Sequence, residues 1–163
     1  MQPGIRTAVL AACVGASSMA TAGQVEVVFV DPASYTDIGS ASWDDNANMR
    51  ELDRYLRWLG QRWLAADQSL KVEVLEVDLA GAMRPGPTGQ PELRILAGDA
   101  DFPRMRLRYT LSGTGVQRSG DERLADLNYT RGLANRGDSQ ALFYEKRMLY
   151  AWFKARFVAG RPD

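Results

Sequence analysis

The sequence predicts an α+β domain: a mixed β-sheet of about five strands, in the order β-α-β-β-β-β-α, with two amphipathic helices packed on one face. Three observations favour this architecture. A β-branched run at 25–30, a helical pattern at 42–66 and a second strand-like run at 70–78 form a β-α-β unit. Apolar and polar residues alternate at 105–111, which is typical of an antiparallel strand. A second amphipathic helical pattern occupies 140–158.

The first strand and the first helix have recognisable boundaries. The run VEVVFV at 25–30 stops at Asp31 and Pro32, because proline cannot continue a strand ladder. Ser42 suits the N-cap of the following helix, and two aspartates come next, where the helix dipole favours negative charge. One stripe of this helix is apolar and is predicted to face the core. Its members are Met49, Leu52, Leu56, Leu59 and Trp63.

The stretch at 70–81, LKVEVLEVDLAG, contains a break in its alternation. Leu70, Val72 and Val74 share one face, whereas the apolar residues from Leu75 onward fall on the opposite phase. A one-residue bulge near Val74 and Leu75 would return all six apolar side chains to one face. The alternative is a central strand that is partly covered on both faces.

The second half of the chain continues the sheet. Residues 83–91 are rich in proline and glycine and are expected to form a loop, and a short strand is predicted at 93–96. A turn at 112–115 leads from the alternating strand into a partner that begins at Val116. Residues 128–139 are polar and predict another loop before the second helix.

The N-terminal segment is expected to be a secretion signal. Residues 8–16 form a short apolar run, and the small residues that end at Ala22 match the pattern read by signal peptidase. The signal would direct the chain to the periplasm, and cleavage between Ala22 and Gly23 would leave a single α+β domain at 23–163. In an alternative interpretation, Cys13 lies in a lipoprotein-like box and anchors the chain through a lipid. No later segment approaches the ~18 apolar residues of a transmembrane span.

Composition excludes several chemistries. The chain has no histidine, and its one cysteine, Cys13, lies in the predicted signal. Ser-His-Asp and Cys-His catalysis and the usual zinc sites are therefore excluded from the mature domain. The formal net charge of +0 argues against general nucleic-acid binding. We assign no cofactor and no metal from the sequence.

Three stretches resemble a known bacterial family. They are VEVVFVDPASYTDI at 25–38, LKVEVLEVDLAG at 70–81 and SGDERLADLNY at 119–129. Together they resemble domain-of-unknown-function family 3016, whose members carry secretion signals. The resemblance implies a bacterial envelope location and covers nearly the whole mature chain. It implies no activity and no catalytic residue.

Carboxylates provide the first candidate site. Asp31 and Asp78 would both follow parallel strands at their carboxyl ends, where α/β sheets place ligands, and Asp37 would lie near them. Such a group could share acid and base roles or bind a divalent cation. The alternative is that all three residues form turns or end strands.

Arginines provide the second candidate, a possible anion-binding or partner-binding site. Arg104, Arg106 and Arg108 alternate along one face of a strand, and Arg94 on the short strand would join them. Such a row could bind phosphate or carboxylate groups. The alternative is a solvated face whose charges protect an edge strand.

These observations favour a non-catalytic binding or interaction module of the bacterial envelope. Its expected partner is an envelope protein or an anionic envelope component, with no nucleic acid. The alternative is a carboxylate-based envelope glycan hydrolase or a divalent-cation-binding protein.

Overall fold

The helices and strands follow the predicted α+β class. A computed structural model describes residues 23–39, 42–88, 93–96, 98, 100–131 and 141–159. The elements are β1 (Gln24–Phe29), α1 (Ser42–Trp63), β2 (Ser69–Asp78), β3 (Ala82–Arg84), β4 (Leu93–Ile95), β5 (Arg104–Gly113), β6 (Val116–Ala125) and α2 (Phe143–Phe153). A 3-10 turn, Pro32–Ser34, follows β1, and a π turn, Lys154–Val158, extends α2.

The main sheet has four strands in the order β1-β2-β5-β6, and β3 pairs with β4 in a separate two-stranded sheet. β1 runs parallel to β2, whereas β5 is antiparallel to both β2 and β6. The sheet is therefore mixed, as predicted. α1 ends at Trp63, three residues before the predicted end, because a turn closes beyond it: the side chain of Gln68 accepts the N–H of Ala65 at 2.9 Å.

The predicted bulge in the central strand is confirmed. The register between β2 and β5 shifts between Val74 and Glu76, so that Leu75 has no partner on β5. On either side of the insertion the apolar residues face the same way, and they are almost fully buried: Leu70, Val72, Val74, Val77 and Leu79. Leu75 is the exception among the six and is only half-buried, because it is itself the inserted residue.

The loop after β1 is attached to this bulge. The hydroxyl of Tyr35 donates a hydrogen bond to the Val74 carbonyl at 2.7 Å, and the same carbonyl accepts the N–H of Val30 at 2.9 Å. Burial raises the pKa of Tyr35 to about 12, so its hydroxyl remains a donor at physiological pH. One residue further on, the N–H of Thr36 donates to Glu76 at 2.6 Å.

Two predictions about the second half need correction. Residues 83–91 were expected to form a loop throughout, but Met83 and Arg84 belong to β3, which pairs with the predicted short strand. That short strand thus lies outside the main sheet. β6 extends from Val116 to Ala125 in unbroken register with β5. Its polar sequence did not predict this length, because the ladder with β5 outweighs local strand propensity.

The core lies on one side of the main sheet, which we call the inner face. Both helices pack there, and their buried side chains meet those of β2 and β5 in one cluster. From α1 and α2 the fully buried members are Leu52, Leu56, Leu59, Leu149 and Phe153. The apolar stripe predicted for α1 is therefore confirmed, with Met49 and Trp63 partly buried at its ends. Each buried leucine stabilises the fold by roughly 1.5–3 kcal/mol.

Tyr35→Phe should lower the free energy of unfolding by about 1 kcal/mol, because it removes one of the two hydrogen bonds that the Val74 carbonyl accepts at the bulge. Urea denaturation followed by circular dichroism would measure the change. Tyr150→Phe is the matched control, since the side chain of Tyr150 is exposed. Equal stability of both variants would contradict a role for this hydrogen bond.

Candidate binding site on the outer sheet face

The face of the main sheet opposite the two helices, the outer face, carries alternating charges. Along β5 every second side chain is exposed, beginning with Arg104, Arg106 and Arg108. The predicted alternation of these arginines along one face is confirmed. Because β2 and β6 flank β5, the carboxylates of both strands stand next to the arginines in register.

All three arginines form ion pairs with carboxylates of the neighbouring strands. Arg106 makes two hydrogen bonds to Asp121 of β6, at 2.8 and 3.0 Å. Arg108 shares the same carboxylate at 3.3 Å and approaches Glu73 of β2 at 3.8 Å. The hydrogen bonds from Arg106 hold the pKa of Asp121 below its usual value. The row is thus a charge-balanced network rather than a purely basic ridge.

Arg104 and Asp78 form the pair nearest the end of β2. The Nε of Arg104 donates to Asp78 at 2.9 Å, and the guanidinium also lies 4.9 Å from the ring centroid of Phe102. This contact with an aromatic ring favours one orientation of the arginine.

One arginine of the outer face differs from the others. Arg123 lies on β6 directly opposite Arg106, and within the described part of the chain no carboxylate forms an ion pair with it. Like charges that face each other across two strands are destabilising. Arg123 is therefore the arginine of this face that has no ion-pair partner among the described residues. Sequence reasoning missed it because the extent of β6 was not predicted.

A cleft of about 620 Å³ opens next to Arg123. Its lining contains three arginines and two carboxylates together with apolar and backbone atoms: Thr36, Leu75, Glu76, Asp78, Arg104, Met105, Arg106, Arg123, Leu124 and Ala125. Leu75, the bulged residue, contributes an apolar wall, and the loop after β1 contributes Thr36. The bulge and its attached loop therefore shape the candidate site.

Arg94 does not join the other arginines. It lies on β4, and its guanidinium makes two hydrogen bonds to Asp37, at 2.8 and 3.1 Å. It also donates to the carbonyls of Ala80 and Gly81. Arg94 therefore attaches the β3–β4 hairpin to the end of β2, and its placement differs from the sequence prediction because β4 pairs outside the main sheet.

The structure brings two of the three predicted carboxylates together. Asp37 and Asp78 form an isolated parallel bridge, in which the N–H of Asp37 donates to Val77 at 3.0 Å. Their carboxylates, however, pair with different arginines. Asp31 is exposed at the start of the 3-10 turn, in a left-handed conformation with φ of 50°. Within the described residues no three acidic, histidine or cysteine side chains are grouped to hold a metal ion.

A buried carboxylate lies behind the Asp37–Arg94 pair. Glu145 on α2 is 3% exposed and accepts the N–H of Ala80 at 2.7 Å. Burial raises its pKa, and the nearby charge of Arg94 opposes this shift. Sequence reasoning did not single out this residue. Its spacing of four from Leu149 on the buried stripe of α2 was the available signal.

Comparison with known families agrees with the stretches noted above. The family described as "Protein of unknown function (DUF3016)" matches residues 23–155. The chain belongs to this family. No curated protein and no solved structure matches the chain. Since the DUF3016 description states no activity, any role must be argued from the geometry of the site.

Two predictions about the N-terminus are not addressed by the structure of this DUF3016 chain. The predicted signal at 1–22 and Cys13 lie outside the described residues, and Gly23 is the first residue that is described. Within the described ranges, no helix is both long enough and apolar enough to cross a bilayer.

Glu145→Gln should make the stability less dependent on pH. Because the folded-state pKa of Glu145 is raised, the native protein loses stability as the pH rises from the unfolded-state pKa through the folded-state pKa. Glutamine keeps an acceptor for Ala80 without the charge. We expect the variant to match the wild type below about pH 4 and to be more stable at neutral pH, as measured by urea denaturation across this range. Equal stability at neutral pH would show that ionisation of Glu145 has no cost.

Proposed function

We propose that this DUF3016 chain is a non-catalytic binding module of the bacterial envelope. It binds an acidic group of an envelope protein in the cleft on its outer face. Residues 1–22 export the chain to the periplasm, or, in the alternative interpretation, Cys13 anchors it through a lipid.

The observation that carries the proposal is the charge of Arg123. Arg104 and Arg106 are each paired with a carboxylate, whereas Arg123 faces Arg106 across the strands without a carboxylate partner in the described residues. A carboxylate or phosphate placed between Arg106 and Arg123 would relieve the repulsion between them. Arginine presents two parallel donors to such a group, which favours a defined geometry.

The surroundings of the cleft favour a protein over a uniform polyanion. The neighbouring row contains Glu73 and Asp121, and Glu76 lines the cleft itself. A polyanionic glycan or membrane surface would meet these carboxylates with like charge, which costs free energy. A protein segment can place one acidic side chain at Arg123 and its own basic side chains near the carboxylates.

The arrangement gives less support to the carboxylate-based enzyme. Acid–base catalysis in a glycan hydrolase requires two carboxyl groups that face one substrate. Asp37 and Asp78 are each bound to an arginine, and Asp31 lies on an exposed turn. These arrangements favour neither a hydrolase nor a divalent-cation site.

In-cell photocrosslinking would test the proposed function. A photoreactive residue in place of Ala125, which is exposed and lines the cleft, should yield an adduct with an envelope protein that mass spectrometry identifies. Arg123→Glu in the same chain should reduce the adduct roughly tenfold, because it replaces an attractive charge by a repulsive one. Higher ionic strength should weaken the adduct as well.

Arg50→Glu is the matched control, since it makes the same charge change at an exposed position on α1 and should leave the adduct intact. Arg106 and Arg108 are less suitable targets because their reversal would also disrupt the pairs with Asp121 and Glu73. Absence of any adduct, or an adduct that Arg123→Glu does not reduce, would contradict the proposal.

A further inference from the structure

The two edges of the main sheet differ in how they are protected. On β1, the guanidinium of Arg57 donates to the carbonyl of Val25 at 2.7 Å, which places a charged side chain on that strand. On the other side, β6 carries charges of both signs but runs for ten residues in unbroken register with β5, without a bulge or a proline. No described residue pairs with its outer edge. Such an edge is a template for another strand.

The phase of the ladder identifies the free backbone groups of β6. The N–H of Asp126 donates to Pro103 across the two strands, and hydrogen-bonded pairs in an antiparallel ladder recur at every second residue. The even-numbered residues of β6 therefore direct their N–H and C=O groups toward β5. The odd-numbered residues, such as Ser119, Asp121 and Arg123, direct theirs toward the free edge.

We propose that β6 pairs antiparallel with β6 of a second copy of this chain, in a twofold-symmetric dimer centred on Gly120, to form a continuous eight-stranded sheet. In this register Arg118 faces Glu122 of the second copy, where it would join Arg156 of that copy at the same carboxylate, and symmetry repeats the pair. A single patch that is complementary to itself is what a twofold interface requires. The proposal concerns the edge of the sheet and does not depend on the proposed function of the cleft.

The apolar residues at the two ends of β6 support the same register. Val116 and Leu124 are only partly buried against the core of one copy. In the dimer Val116 faces Leu124 of the second copy, so that each covers apolar surface of the other. On the outer face, Ser119 faces Asp121 and Gln117 faces Arg123 of the second copy, and both pairs can form hydrogen bonds.

The neighbouring registers lack this complementarity. A shift of the twofold axis to Asp121 would place that carboxylate against its own copy, which is unfavourable because like charges face each other. A shift to Ser119 would place Val116 against Glu122. A shift that opposes odd with even residues would turn one chain's backbone groups away from the other. Charge complementarity thus selects the register centred on Gly120.

Sedimentation velocity of the purified protein over a wide concentration range would test the dimer. Ser119→Pro removes an edge N–H without touching the ladder to β5, and it should sediment as a monomer at concentrations where the wild type is a dimer. A protein that remains monomeric at every concentration, or a Ser119→Pro variant that dimerises like the wild type, would overturn the proposal.

Two substitutions at one exposed position test the register without relying on proline. Gln117→Glu should lower the dimer Kd about tenfold by pairing with Arg123 of the second copy, and Gln117→Arg should raise it about tenfold by opposing that residue. Thermal denaturation at low concentration would establish that both variants fold. Equal Kd values, or shifts in the same direction, would exclude this register.

Discussion

Leu75 is an extra residue in β2, the strand that lies between parallel β1 and antiparallel β5. The rest of the structure depends on the bulge that this residue forms. Without it, Val77 and Leu79 would point to the outer face, and Glu76 and Asp78 would enter the core, where unpaired charges are costly. The bulge keeps one apolar face continuous along the full length of β2. Both helices can therefore pack on that face.

The contacts of the loop after β1 explain why the sequence of this loop is distinctive. Asp31 adopts a left-handed conformation that starts the 3-10 turn, and Tyr35 reaches the carbonyl of Val74 beside the bulge. Thr36 and Asp37 then bond to Glu76 and to the backbone of β2. Residues that first suggested a catalytic or metal-binding group thus serve to hold a loop against an irregular strand. The same contacts form one wall of the cleft.

Charge on the outer face is distributed so that nearly every arginine has a local carboxylate. Such exposed pairs add little to stability, because solvent and salt screen them. In the binding role that we propose, a partner would have to match an alternating pattern rather than a single sign of charge. Arg123 departs from the pattern at the position where the cleft opens, and this departure distinguishes the site from the remainder of the face.

The sequence by itself determined the α+β class, the β-α-β order and the core stripe of α1, and it favoured the bulge over a strand covered on both faces. These features follow from local periodicity, which reports on which side chains are buried. It also placed Arg104, Arg106 and Arg108 on one face. The family resemblance, confirmed over residues 23–155, came from sequence as well.

Only the tertiary structure decided the partners of those residues. The pairing of β4 with β3, which takes Arg94 to Asp37, depends on contacts between residues distant in the chain. The length of β6, and with it the position of Arg123 opposite Arg106, depends on the ladder supplied by β5. Glu145 is buried because α2 packs over the end of β2. Periodicity predicts which face a side chain occupies, whereas ion pairing is set by strand order and register, which arise when the sheet assembles.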